Sequence, residues 1–124
     1  MQKRILVVDD NQAVRLIVRS TFEMQGPFIV HEAFDGVDAV EKAQTLNPDL
    51  VVMDLSMPRM HGLDATRRLK KDHPPVQVVL FTMHQGALSE TDASKAGVDA
   101  VVSKSDGLET LLNRVEQLLH QSVH

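Results

Sequence analysis

Asp9 and Asp10 follow the apolar run RILVV, Asp54 follows LVVM, Thr82 ends VVLFT and Lys104 follows VVS. Three carboxylates, a hydroxyl and an ammonium therefore stand at the ends of four short runs rich in Val, Leu and Ile. If those runs are parallel strands, the five side chains emerge at one edge of the sheet, where open α/β folds place their sites. Carboxylates brought together repel, which raises their proton affinity unless a cation offsets the repulsion. An oxygen-only ligand set without cysteine or a positioned histidine cluster favours Mg²⁺, which binds one or two carboxylates together with phosphate oxygens. Lys104 suits an anionic group. A carboxylate can attack a phosphoryl donor to form an acyl phosphate, and in-line transfer depends mainly on positioning and charge neutralisation. Asp54, on the expected central strand, is the best-placed nucleophile, and the Thr82 hydroxyl can donate to a phosphoryl oxygen. Singly, an Asp pair after a strand also suits a turn or helix cap, Thr82 suits a strand end by β propensity, and Lys104 suits a solvated loop. Their joint placement points to a phosphoryl-accepting switch.

Positioning these residues requires alternating strands and helices. Runs 4–8, 29–33, 50–53, 77–81 and 100–102 read as strands, several of them continuously apolar as strands covered on both faces are. Helices are expected over 12–25, 36–46, 63–72, 87–96 and 106–120. In the first, Val14, Ile17, Val18, Thr21 and Phe22 recur with helical period and should face the sheet, with Leu16 outside the stripe. In the last, Leu108, Leu111, Leu112, Val115, Leu118 and Leu119 repeat the device. Gly26-Pro27, Asp35-Gly36, Asn47-Pro48, Pro58 to Gly62 and Pro74-Pro75 mark the breaks. Strict alternation with short connections implies right-handed crossovers and a parallel sheet covered on both faces. A three-layer, doubly wound α/β fold of (βα)5 type, one domain over 1–124, is the expectation.

Composition bounds the function. The chain has 124 residues, 43% apolar and 24% charged, with a formal charge of −4. An acidic balance argues against direct nucleic-acid binding, which needs clustered Lys and Arg. No cysteine is present, so disulfide, thiolate-metal and thiol redox chemistry are excluded. No apolar run reaches the length of a signal peptide or membrane span, and a cytoplasmic protein is the expectation.

The blocks ILVVDD, DGVDAVEKA, NPDLVVMDLSMPRMHGLDATRRL, VVLFT and AGVDAVVSK resemble, in order and spacing across essentially the whole chain, the receiver domains of two-component response regulators. The resemblance implies a CheY-like, flavodoxin-like strand order 2-1-3-4-5, with Asp54 as phosphoacceptor and Asp9 and Asp10 as the acidic Mg²⁺ site. The backbone carbonyl of Ser56 is the implied third protein ligand. Thr82 matches the switch hydroxyl, Lys104 the lysine that contacts the phosphoryl group, and Met57-Pro58 and Gly62 the turn after the phosphoacceptor. The implied partner is a sensor histidine kinase or histidine phosphotransfer protein, and the implied chemistry is a single autocatalysed phosphorylation with slow dephosphorylation rather than enzymatic turnover. GLDATRRLK, FTMH and Lys104-Ser105 look most like NarL/FixJ-type receivers, which precede DNA-binding domains. Two contexts are therefore open: the regulatory domain of a transcription regulator that dimerises through its fourth helix, fifth strand and fifth helix, and a stand-alone receiver.

The chain departs from the family pattern at two positions. Val101 stands where receivers usually carry Tyr or Phe, the ring that moves with the switch hydroxyl. Ser105 stands where many have Pro after a cis bond, and a cis bond to a non-proline residue costs about 3 to 4 kcal/mol. Ser56 and His84, two positions beyond Asp54 and Thr82, match sites that modulate phosphoryl lifetime, and a histidine titrating near neutrality would make that lifetime pH-sensitive; an exposed loop residue is the alternative for His84. His120 and His124 suit the solvated end of a helix better than a metal site. Leu16 suits either a scattered surface position or, as the resemblance implies, contact with the phosphodonor. Two other classes share features with this chain. In a flavin-phosphate carrier Asp9 and Asp10 would repel the phosphate, and Asp-nucleophile phosphatases commonly carry a second acid where this chain has Ser56.

Overall fold

In the computed structural model, residues 2–55, 57, 59–83 and 90–121 are described. Five strands, β1 (Lys3–Val8), β2 (Phe28–Ala33), β3 (Leu50–Met53), β4 (Gln77–Thr82) and β5 (Ala100–Ser103), alternate with α1 (Gln12–Gln25), α2 (Gly36–Leu46), α3 (Gly62–Asp72), α4 (Glu90–Ala96) and α5 (Leu108–Gln121). The sheet is parallel throughout, in the order β2-β1-β3-β4-β5. The reversal of winding falls between β1 and β3, so the carboxyl ends of these two strands flank the crevice where such sheets bind ligands.

The continuous apolar runs become strands because both faces are covered. Ile5 and Val7 point into a core shared with Val18 and Phe22 of α1 and with Leu111, Val115 and Leu119 of α5. Leu6 and Val8 point the other way, into a core with Ala39 and Ala43 of α2 and Ala65 and Leu69 of α3. Alternate side chains of one strand thus serve two cores, the period-2 consequence of the pleat. Phe22 meets Phe28 edge-on at 5.7 Å between ring centroids, a favoured aromatic geometry.

Local chemistry fixes the helix starts. Asn11 caps α1 by accepting from the amides of Ala13 and Val14 at 2.9 and 3.2 Å, Asp35 caps α2 by accepting from Asp38 at 2.8 Å, and His61 Nδ1 accepts from Leu63 at 3.2 Å at the start of α3. Each satisfies an amide that the first helical turn leaves unpaired.

Three expectations need correction or refinement. Ile17 does not face the sheet: it is 52% exposed, beside Leu16 at 59%. The buried stripe is narrower, resting on Val18 and Phe22 with Val14 packed at its margin. The last helix begins at Leu108 rather than 106, because Lys104–Asp106 form a 3-10 turn in which the Ser103 hydroxyl accepts from the Ser105 amide at 3.2 Å. The Lys104–Ser105 peptide bond is trans. The helix expected from 87 is seen from Glu90; the residues before it, His84 among them, lie outside the described ones, as do Ser56, Pro58 and His124.

Candidate functional site

The sheet ladder continues one residue past β1 and β3. The Asp9 amide donates to the Ala33 carbonyl at 3.2 Å and the Asp54 amide to the Val8 carbonyl at 2.9 Å. Backbone pairing therefore delivers both carboxylates to the same edge. Asp9 and Asp54 are buried, at 3% and 8% exposure, whereas Asp10 faces solvent. One carboxylate oxygen from each of Asp9, Asp10 and Asp54 lies within 4.8 Å of the others, the one such acidic cluster among the described residues.

Lys104 closes the site from β5. Its ammonium donates to Asp9 Oδ2 at 2.8 Å and stands 3.5 Å from Asp54 Oδ1. Asp54 Oδ1 also accepts from the Leu55 amide at 2.9 Å, and Asp9 Oδ1 accepts from Asn11 at 2.9 Å. Burial pushes the Asp54 carboxyl above its ordinary range and the Asp9 charge adds to the push, while Lys104 and the Leu55 amide act against it. For Lys104 burial works against the charged form, yet the hydrogen bond to Asp9 and the charges of Asp54 and Asp9 outweigh it and hold the ammonium above its usual range. Thr82, fully buried, ends β4 directly beside Ser103 of β5. All five residues singled out in the sequence thus share one edge. Val101, in register with Leu80, is half-buried against the α2/α3 core.

The donor set suits a hard divalent cation. Three carboxylates around one ammonium leave surplus negative charge, and oxygen ligands at a partly open edge match Mg²⁺ rather than a soft metal.

Sequence reasoning missed the supports around this centre. Arg15 of α1 donates to the Asp9 carbonyl at 2.8 Å and pairs with Glu32 of β2 at 3.1 Å. Arg19 holds the other Glu32 oxygen at 3.0 Å. Burial raises the Glu32 carboxyl, but its two arginine partners prevail and keep it below the ordinary range. In the segment after Asp54, the Gly62 amide donates to the Leu55 carbonyl at 2.8 Å, and a Cβ on Gly62 would stand 2.4 Å from the Asp54 carbonyl oxygen. Farther along, Arg59 grips both oxygens of buried Asp35.

A doubly wound parallel sheet with three carboxylates and an ammonium at its carboxyl edge defines a class, the receiver-type α/β domains. The chain belongs to the response regulator receiver domain family, whose model matches residues 5–116. It is 35% identical over 121 residues to a putative transcriptional regulator of Pseudomonas aeruginosa, covering 98% of this chain and 58% of that protein. It is 35% identical over 116 residues to the response regulator GacA of the same species, covering 93% of this chain and 54% of GacA. Among solved structures it superposes on a LuxR-family two-component response regulator from Aurantimonas sp. SI85-9A1 with a TM-score of 0.90 and 34% identity, covering 98% of this chain and 87% of that one. The chain spans about half the length of the curated relatives it matches. Family membership leaves the flavin-carrier and phosphatase readings without support.

Proposed function

We propose that this chain is a phosphoacceptor switch: Asp54 takes a phosphoryl group from the phosphohistidine of a sensor kinase or histidine phosphotransfer protein. The observation that carries the reading is the Lys104 ammonium held between Asp9 and Asp54, a cation placed beside a buried carboxylate that stands in an acidic cluster. An Asp54 carboxylate oxygen attacks phosphorus as the P–N bond to the donor imidazole breaks. The new P–O bond is an acyl phosphate, and the imidazole leaves with the electron pair of the broken bond. Lys104 exchanges its contact with Asp9 for a phosphoryl oxygen, and the Thr82 hydroxyl donates to another. Asp9, Asp10, Asp54 and the Ser56 carbonyl would hold Mg²⁺, which supplies charge neutralisation for the carboxylates and the incoming phosphoryl oxygens. Water attack on the acyl phosphate returns the carboxylate and inorganic phosphate, with Ser56 and His84 setting its rate, so the chain hydrolyses only the phosphoryl group that its own Asp54 has accepted.

The longer relatives, one described as a putative transcriptional regulator, support a regulatory domain joined to a DNA-binding output as the context, in the cytoplasm with its kinase. This domain itself is acidic and would not contact DNA; no helix among the described residues is long and apolar enough to cross a membrane. Dimerisation on phosphorylation would use α4, β5 and α5, where half-covered Val101 borders a groove with Asp106, Thr110, Asn113, Arg114 and Gln117. A stand-alone receiver is the alternative. The test of the site is to treat the protein with Mg²⁺ and acetyl phosphate, reduce with borohydride and map the peptides. Asp54 should be converted to homoserine; reduction at another acid, or none, contradicts the assignment.

A further inference from the structure

Arg15 lies near the N-terminus of α1, where a cation runs against the helix dipole. Its side chain is nevertheless largely covered, at 16% exposure, and two of its nitrogens are engaged by fixed partners. Nη1 donates to the Asp9 carbonyl at 2.8 Å and Nε to Glu32 Oε1 at 3.1 Å. Glu32 stands on β2 in register with Val7, close to the end of β1. Its other carboxylate oxygen accepts from Arg19 at 3.0 Å, and its backbone carbonyl accepts from Lys42 of α2 at 2.7 Å. Contacts from α1, β2 and α2 therefore aim one guanidinium at the peptide unit between Asp9 and Asp10.

That peptide unit carries the least anchored part of the acidic cluster. Asp9 is held on several sides: its amide donates to the Ala33 carbonyl, Oδ1 accepts from Asn11 and Oδ2 from Lys104. Asp10 is exposed, and among the described residues its carboxylate has no hydrogen-bond or ion-pair partner. Its place within 4.8 Å of the other two carboxylates therefore depends on the backbone that bears it. A peptide group is planar, so a bond that fixes the Asp9 carbonyl also fixes the direction in which Asp10 leaves. Among the described residues, Arg15 is the side chain that makes that bond.

We infer that Arg15, aimed by Glu32, is a positioning residue of the cation site: it fixes the Asp9–Asp10 peptide and so holds the Asp10 carboxylate in the cluster before the ion arrives. The inference rests on the phosphoacceptor reading above. Arg15 is no ligand. It acts as the outer partners of metal sites do, by holding what holds the ion, and losing such a partner typically weakens metal affinity about 10- to 100-fold. Charge alone acts in the opposite direction. A guanidinium beside three carboxylates repels a divalent cation, so deleting it with no effect on positioning would strengthen Mg²⁺ binding. The sign of the change separates the two roles.

Arg15→Met keeps much of the stem and removes both the bond and the charge. Mg²⁺ affinity is read by titration calorimetry on the unphosphorylated protein, and folded fraction by thermal circular dichroism. We expect affinity to fall about tenfold, and the Mg²⁺ concentration that gives half-maximal acetyl phosphate labelling to rise by the same factor. Arg15→Lys, which keeps the charge but cannot hold Glu32 and the Asp9 carbonyl in one planar fork, should fall between. A methionine variant that binds Mg²⁺ as tightly as wild type, or more tightly, overturns the inference, as does a loss of affinity that only tracks a loss of folded protein. Should that variant not fold, a folded lysine variant decides: affinity equal to wild type overturns the inference, and weaker binding upholds it. Wild type that binds no Mg²⁺ overturns the reading beneath it, and the inference with it.

Discussion

Lys104 and Asp9 are bonded to one another while Asp54 sits buried beside them, so a phosphoryl group taken up by Asp54, as proposed, would meet a cation already in place. Replacing Lys104 with Met removes that charge but keeps most of the stem. Acetyl phosphate labelling of the variant, followed by intact mass, should slow by about 100-fold, the usual cost of losing one preorganised partner of developing charge; an unchanged rate would remove Lys104 from the chemistry. At Asp35, the Arg59 hydrogen bond against opposing burial holds the carboxyl below its ordinary value of 3.8. A carboxyl depressed in the folded state contributes stability at pH values above its unfolded pKa, and that stability is lost as pH falls through the folded pKa. Asp35→Asn keeps an oxygen to cap α2 and deletes the charge. Wild type should therefore be the more stable at pH 7, and its lead should shrink below about pH 3.8. Melting temperatures that keep a constant gap from pH 7 to pH 3 would contradict this.

The elements that deliver these residues were largely legible, because continuous apolar runs and paired Pro and Gly breaks are strong signals when both sheet faces are covered. Less legible was which half of a helical stripe the sheet would cover. Ile17 and Phe22 look alike in the pattern, yet one is half open and the other is sealed. Phe22→Ala should cost about 3 to 5 kcal/mol, and Ile17→Gln should stay within about 0.5 kcal/mol, as read by urea unfolding. The start of α5 falls at Leu108 rather than 106 because Lys104–Asp106 form a 3-10 turn, capped by the Ser105 amide donating to the Ser103 hydroxyl, a contact that no periodicity records. That Asp9, Asp10, Asp54, Thr82 and Lys104 would share one edge of the sheet was legible from their places at strand ends. The Arg59 clamp was not, because it joins residues 24 apart and Asp35-Gly36 reads on its own only as a turn. Gly62, read in the sequence as part of the turn that follows Asp54, proves to be a contact constraint: Gly62→Ala would drive a methyl into the Asp54 carbonyl. It should destabilise by about 1 to 3 kcal/mol in the same urea assay, and an unaffected variant would mean that the segment yields more readily than its packing suggests.

Across the whole molecule, one sheet separates two cores, and its carboxyl edge gathers the residues that follow β1, β3 and β5 into a single charged centre, with Thr82 ending β4 at the same edge. Neither core is complete without the sheet they share, so the centre forms only when the domain folds as a unit. On the proposed reading this edge accepts one phosphoryl group, on Asp54. Intact mass after exposure to Mg²⁺ and acetyl phosphate, compared between wild type and Asp54→Asn, tests it most directly. Wild type should take up one Mg²⁺-dependent, base-labile phosphoryl adduct and the variant none; equal labelling of both proteins, or no adduct on a folded, Mg²⁺-binding wild type, would rule out Asp54 as the acceptor.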